Sequence, residues 1–257
     1  MIYALTRPVS PAISSCELTH LERTPVDFER AQSQHAAYEV ALQSCGCELI
    51  HLSAIDAAPD GVFVEDTAVV VPGLAVMTRP GAVSRRAEVE STEAALSQLL
   101  PVVRIDAPGT LDGGDVLHLG QTLYVGRSAR SNDAGIAQLS AAVAGQGIQV
   151  VAVDLRDALH LKTAVTAISD DTVLLQPRWV DAAIFDGYRI IEVHPDEPFA
   201  ANTLRIGEQL IVPAAHARTA EACSAHAAEV IMVEVDELAR AEGGVSCCSI
   251  LVESADQ

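Results

Sequence analysis

Positive charge is scarce in this chain: 16 lysines and arginines stand against 35 aspartates and glutamates, a net charge of -19 over 257 residues. A field of that sign repels nucleic acid and anionic membranes, so neither is expected as a partner, and it attracts small cations. Aromatic residues are also few, at 4%, while 49% of the chain is hydrophobic and rich in alanine and valine. Small and β-branched side chains suit tightly packed strands backed by helices. No apolar run reaches the roughly 18 residues of a membrane span. The opening Met1-Ile2-Tyr3-Ala4-Leu5 leads straight into Thr6-Arg7-Pro8, which is unlike a secretory leader. Six cysteines are present, Cys16, Cys45, Cys47, Cys223, Cys247 and Cys248. Neighbours adjacent or one apart make poor disulfide partners, so a reduced, cytoplasmic protein is expected. Cys45 and Cys47 form a C-x-C without a second matched pair, a weak metal signature, and neither metal nor cofactor is expected.

What the chain does have is repetition. Asp66 to Met77 reads as an apolar run, a turn and a second apolar run, and Asp115 to Gly126 and Asn202 to Pro213 repeat it at equal length. Thr163 to Leu174 is a looser copy with Asp170-Asp171 at the turn, and Cys248 to Val252 resembles the first strand of a fifth. Each copy predicts a β-hairpin with Gly or Asp supplying the turn. Starts roughly 40–50 residues apart match propeller or array spacing. Between the copies lie helical patterns over 27–44, 84–100 (Ser84 as cap), 132–144 and a short 181–185, judged by apolar spacing and capping residues. No low-complexity linker interrupts the series, so one domain over 1–257 is expected.

The chemistry-bearing residues fall at the same place in successive copies. Asp66, Asp115, Asn202 and Cys248 start their hairpins, with Asp112, His160 and Cys247 just before. If the repeats wind around an axis, these positions converge at one end of it. A cysteine needs a base or a positive neighbour to become a nucleophile, and carboxylates suit a cationic substrate. The order acid, acid, His, Cys therefore points to an enzyme acting on a guanidinium group. Taken singly, each residue has a plainer reading: a buried cysteine is a small hydrophobe, and a His between two leucines is usually structural. Asp115, inside Gly113-Gly114-Asp115, reads more readily as a cap of backbone amides.

The motifs Phe63-Val64-Glu65-Asp66-Thr67, Thr78-Arg79-Pro80-Gly81, Ser84-Arg85-Arg86, Leu111-Asp112-Gly113-Gly114-Asp115-Val116, Leu159-His160-Leu161-Lys162, Ala200-Ala201-Asn202 and Cys247-Cys248-Ser249 occur in one order. Together they resemble the dimethylarginine dimethylaminohydrolase family, from about Asp60 onward. The resemblance implies an α/β fold, the five-bladed α/β-propeller (pentein) of guanidino-modifying enzymes, with a central active-site pocket. It implies that Cys247 attacks the guanidinium carbon, that His160 serves as general acid and then base, and that Asp112 orients His160. Asp66 then pairs with the guanidinium nitrogens, and Glu65 beside it is a substrate-binding candidate that could point either way. Arg85 and Arg130 take the substrate carboxylate, and Asp60 its ammonium; Leu18 falls in a lid. The implied partner is a small-molecule substrate, a methylated arginine; the oligomeric state is open, a homodimer included.

Two positions depart from related patterns. Arginine deiminases place an acid two residues after the His, where this chain has Lys162, and a lysine cannot accept a hydrogen bond from an unsubstituted guanidinium nitrogen. Asp112 is one methylene shorter than the glutamate of many bacterial relatives. A deiminase of another guanidino compound and a non-catalytic arginine-derivative binder are the competing readings.

Overall fold

The computed structural model describes residues 1–254. Its elements run β1 (Ile2–Thr6), α1 (Phe28–Ser44), β2 (Cys47–His51), β3 (Ala68–Val71), β4 (Leu74–Met77), α2 (Val89–Leu96) and β5 (Val102–Arg104). Then come β6 (Val116–Leu119), β7 (Thr122–Arg127), α3 (Asp133–Val143), β8 (Gln149–Asp154), α4 (Leu161–Ala164), β9 (Val165–Ala167), β10 (Thr172–Leu175) and β11 (Arg189–Glu192). The rest are β12 (Leu204–Ile206), β13 (Gln209–Pro213), α5 (Ala217–Cys223), β14 (Glu229–Val233), α6 (Asp236–Ala239) and β15 (Ile250–Glu253).

The four expected hairpins form as antiparallel pairs, β3–β4, β6–β7, β9–β10 and β12–β13. Three of them turn on Gly73, Gly120 and Gly207, whose φ angles of 76°, 57° and 58° would cost a residue with a Cβ roughly 1–2 kcal/mol. Each hairpin gains an outer strand parallel to its second member, so the described residues hold five three-stranded sheets. The fifth is completed from far away in sequence. β15 is its inner strand, as expected, but its antiparallel partner is β1, with Tyr3 opposite Val252, and β2 lies parallel outside.

The sheets close around an axis. Residues of β3, β6, β9, β12 and β15, the inner strand of every sheet, line one central cavity of about 250 Å³ that also reaches Glu65, Lys162 and Ser246. Helices lie outward, and five apolar clusters fill the space around the sheets. Tyr38 and Leu42 of α1 are fully buried in the largest, where each such side chain contributes roughly 1.5–3 kcal/mol. Asp27 and Asn132 cap α1 and α3 through the amides of Arg30 and Gly135.

The expected helix over 84–100 differs. Val83–Glu88 is a tight 3-10 segment, and the α-helix begins only at Val89. Ser84 caps nothing; its hydroxyl donates to Glu17 at 2.6 Å. The cause is Arg85, drawn inward between Asp66 and Glu88. The segment expected at 181–185 is likewise a single 3-10 turn, Ala182–Phe185, capped by Asp181.

Candidate active site

Inner strands begin on short helical turns: Val64–Thr67 before β3, Gly113–Asp115 before β6, Leu161–Ala164 before β9 and Ser246–Cys248 before β15. Ring symmetry points these turns at one another. Glu65, Asp66, Asp112, Asp115, His160 and Asn202 are all buried there, and Cys247 is half-buried.

His160 Nε2 lies 3.0 Å from Asp112 Oδ2, and Nδ1 lies 3.9 Å from Asp66 Oδ1. Burial opposes its charge, but Asp66, the bond to Asp112, and Asp115 outweigh it and hold the imidazole up at about 9. His160 is therefore an imidazolium near neutral pH. Burial would raise Asp66 too, yet His160 and Arg85 bring it down to about 2, and Oδ1 accepts the Gly114 amide at 2.9 Å. Gly114 must be glycine, because a Cβ there would lie 2.7 Å from both Asp66 Oδ1 and His160 Nδ1.

Cys247 Sγ accepts the Gly244 amide at 3.4 Å. Burial, then the negative charges of Glu65 and Asp66, push the thiol up to about 12. Cys248 is fully buried and its thiol points to the carbonyl of Gly244. Gly243 and Gly244, just before the pair, are expected to allow close backbone approach to a ligand. They instead seat the turn against its neighbours: a Cβ on Gly243 would strike the Phe63 ring, and one on Gly244 the Asn202 carboxamide.

Glu65 lies at the junction of the site and the axial cavity. It accepts from Lys162 Nζ at 2.6 Å and from Ser246 Oγ at 3.0 Å. Burial nonetheless pushes its carboxyl up to about 7, against the pull of Lys162. Asn202 donates to Ser246 Oγ and to the carbonyl of Lys162, and its oxygen accepts the Ser246 amide. Ser246 was missed in the sequence, where only its place beside Cys247 marked it.

The residues expected around the amino-acid end are distributed unevenly. Asp60 is buried, accepts the Glu17 amide with both oxygens, and is pushed up to about 6 by burial against the pull of Arg85. Leu18 is partly buried and, like Cys247, packs against the apolar cluster around Tyr38. Arg130 donates to Thr19 Oγ1 at 3.2 Å. Arg85 stands apart: its guanidinium is buried and already bonded to Asp66, Glu88 and the carbonyls of Asp60 and Phe63. In this arrangement it neutralises Asp66, while Arg130 remains a cation beside Thr19.

Asp66, Asp112 and His160 each offer a donor atom within 4.8 Å of the others, a spacing compatible with a metal ion. Two of them are also bonded internally, Asp66 to Arg85 and Gly114 and Asp112 to the Gly81 amide. The buried carboxylates, facing a thiol and an imidazolium, suit a planar nitrogen cation equally well. A second cavity of about 460 Å³ opens onto Cys247 from the outer side, walled by Trp179, Phe199, Glu242 and the 20–24 segment. Among the described residues, no helix is long and apolar enough to cross a membrane.

Ring and site together define a guanidino-modifying hydrolase of the α/β-propeller class, and the arginine deiminase family matches over residues 54–199. Within that class, the chain belongs to the dimethylarginine dimethylaminohydrolase family. It is 43% identical over 249 residues, 96% of this chain and 95% of the relative, to the N(G),N(G)-dimethylarginine dimethylaminohydrolase of Streptomyces coelicolor. It is 36% identical to that of Pseudomonas aeruginosa over 245 residues, 95% of this chain and 96% of the relative. The solved structure of a cysteine-to-serine mutant of the Pseudomonas aeruginosa enzyme complexed with citrulline superposes with a TM-score of 0.93 at 34% identity, covering 97% of this chain and 98% of that one.

Proposed function

We propose that this chain hydrolyses Nω-methylated arginines to citrulline and dimethylamine or methylamine, as a single catalytic domain with Cys247 as nucleophile. The observation that carries the reading is the convergence of Cys247, the His160 imidazolium and the carboxylates of Asp66 and Asp112 from separate blades. A thiol held up near 12 is inert until a positive neighbour arrives. The substrate guanidinium is that neighbour, so the thiol ionises as substrate binds and its proton passes to solvent.

The Cys247 thiolate then forms a C–S bond to the guanidinium carbon, giving a neutral tetrahedral adduct. His160 protonates the methylated nitrogen as the C–N bond breaks, releasing the amine and leaving an S-alkylthiouronium cation. Neutral His160 next takes a proton from water, whose oxygen attacks the same carbon. Collapse of the second adduct expels the thiolate and, after loss of a proton, leaves citrulline. Asp66 and Asp112 offset the positive charge throughout, where preorganised electrostatics contribute most. Arg130 and Asp60 are assigned to the carboxylate and ammonium of the substrate, with Leu18 covering it.

Lys162 supports selectivity against plain arginine. Its ammonium pairs with Glu65 and offers no acceptor for an unsubstituted nitrogen. Comparing kcat/KM for asymmetric dimethylarginine, monomethylarginine, arginine and agmatine tests this directly. A preference for arginine, or transfer of the amidine to an amine acceptor, would reject it in favour of a deiminase or an amidinotransferase. Melting shifts without citrulline release would leave a binding protein. The six cysteines are all unpaired, which supports a reducing, cytoplasmic setting.

A further inference from the structure

Glu242 holds a backbone conformation that its residue type resists. Its φ is 58°, in the left-handed region where a side chain is strained and glycine is the usual occupant. It immediately precedes Gly243-Gly244, the turn that delivers Cys247. Strain at such a place calls for something the side chain does. The carboxylate of Glu242 accepts three consecutive backbone amides of the lid segment: Thr19 on Oε2 at 2.9 Å, and His20 and Leu21 on Oε1, each at 2.6 Å. Successive amides converging on one carboxylate form an anion-binding nest. Here the anion belongs to the protein itself.

The lid tip is otherwise thinly held. Residues 19 to 25 are exposed, and its other side-chain ties are Arg130 to Thr19 Oγ1, Arg23 to the carbonyls of Ser14 and Cys16, and Arg240 to the carbonyl of Pro25. Asp60 and Ser84 fasten only the base, at Glu17. His20 and Leu21 wall the same cavity as Glu242, Gly243, Gly244 and Cys247. One side chain therefore joins the roof of that cavity to the turn carrying the thiol.

We propose that Glu242 is a positioning residue, a latch whose seating in the amide nest of Thr19, His20 and Leu21 couples lid closure to the placement of the Cys247 turn. The kinetic part of this assignment rests on the hydrolase reading above; the latch itself does not. Glu242→Gly removes the carboxylate while relieving the φ strain, so a merely structural role and a latch move in opposite directions. Glu242→Gln keeps an accepting oxygen without the charge and serves as the conservative variant.

The readouts are hydrogen exchange of the 19–21 amides, the melting temperature, and KM against kcat for dimethylarginine. For Glu242→Gly the expected result is exchange at 19–21 at least tenfold faster, an unchanged or higher melting temperature, and KM raised with kcat lowered, each about tenfold. Glu242→Gln should fall between it and the wild type. Wild-type exchange rates at 19–21 in both variants would overturn the latch, as would faster exchange accompanied by an equal loss of protection across the ring. Should the wild type fail to hydrolyse dimethylarginine, the hydrolase reading falls, and exchange still decides whether the latch exists.

Discussion

Asp115 accepts the backbone amide of Leu161, the residue after His160, at 3.0 Å. Its other oxygen accepts the hydroxyls of Ser128 and Ser131 at 2.6 Å each, and Ser131 in turn receives the Asp112 amide. A single carboxylate thus sets the height of both members of the His160–Asp112 pair without touching substrate. Asp115→Asn substitutes an NH₂ for one acceptor and so breaks part of this network. Losing about 1–2 kcal/mol of positioning is expected to lower kcat about tenfold with KM little changed. Steady-state kinetics checks this; an unaltered kcat would reduce Asp115 to a fold residue.

Cys247→Ser is expected to abolish turnover, and Cys248→Ser to keep most of it, because Cys247 lines the outer cavity whereas Cys248 is fully buried. A mass increase on Cys247 after treatment with a haloamidine provides an independent readout. The thiol's upward shift adds a pH signature. Alkylation by a neutral reagent should keep accelerating with pH toward about 12, whereas a cationic amidine, carrying its own positive charge, should react well below that.

Removing His160 should slow turnover by ~10²–10⁴-fold for each proton transfer it performs; near-wild-type rates in His160→Gln would make it structural. Its charge also bears on stability. The folded value of about 9 lies above the usual 6.5, so the folded state binds the proton more tightly. That contribution is complete below about 6.5 and is lost as pH rises through about 9. The stability gap between wild type and His160→Gln, followed by denaturant titration at several pH values, should therefore narrow across this window.

Lys162→Met strips the partner from Glu65, whose carboxyl already sits at about 7, so at pH well above 7 it leaves an unpaired buried charge and is expected to destabilise by about 3–5 kcal/mol. Adding Glu65→Gln should restore part of the loss, since the orphaned charge is gone. Thermal melts of both variants decide the matter; equal melting temperatures for the single and double variants would mean that Glu65 is already neutral when Lys162 is absent.

The hairpins were legible because their turns need left-handed backbone, which Gly73, Gly120 and Gly207 supply. Their register was also legible, and it places Asp66, Asp112, His160 and Cys247 at one end of the ring. The partner of β15 was not, because β1 lies nearly the whole chain away and a strand carries no mark of its distant neighbour. Arg85 was expected at the substrate carboxylate; only the packed ring shows that Asp66 and Glu88 claim it. The amides that receive Glu242 carry no side-chain signature at all, so that contact was invisible in the residues.

The seam of the fifth sheet has a kinetic meaning. Acids and imidazole occupy the first two-thirds of the polypeptide, while the thiol arrives just ahead of the strand that zips against β1. A chain emerging from the ribosome thus carries every charged member of the constellation before it carries a nucleophile, and pairing across so long a loop is expected to form more slowly than the local hairpins. Recovery of turnover after dilution from denaturant should therefore lag recovery of hairpin structure and coincide with sealing of the seam, which makes the enzyme's own product a clock for ring closure.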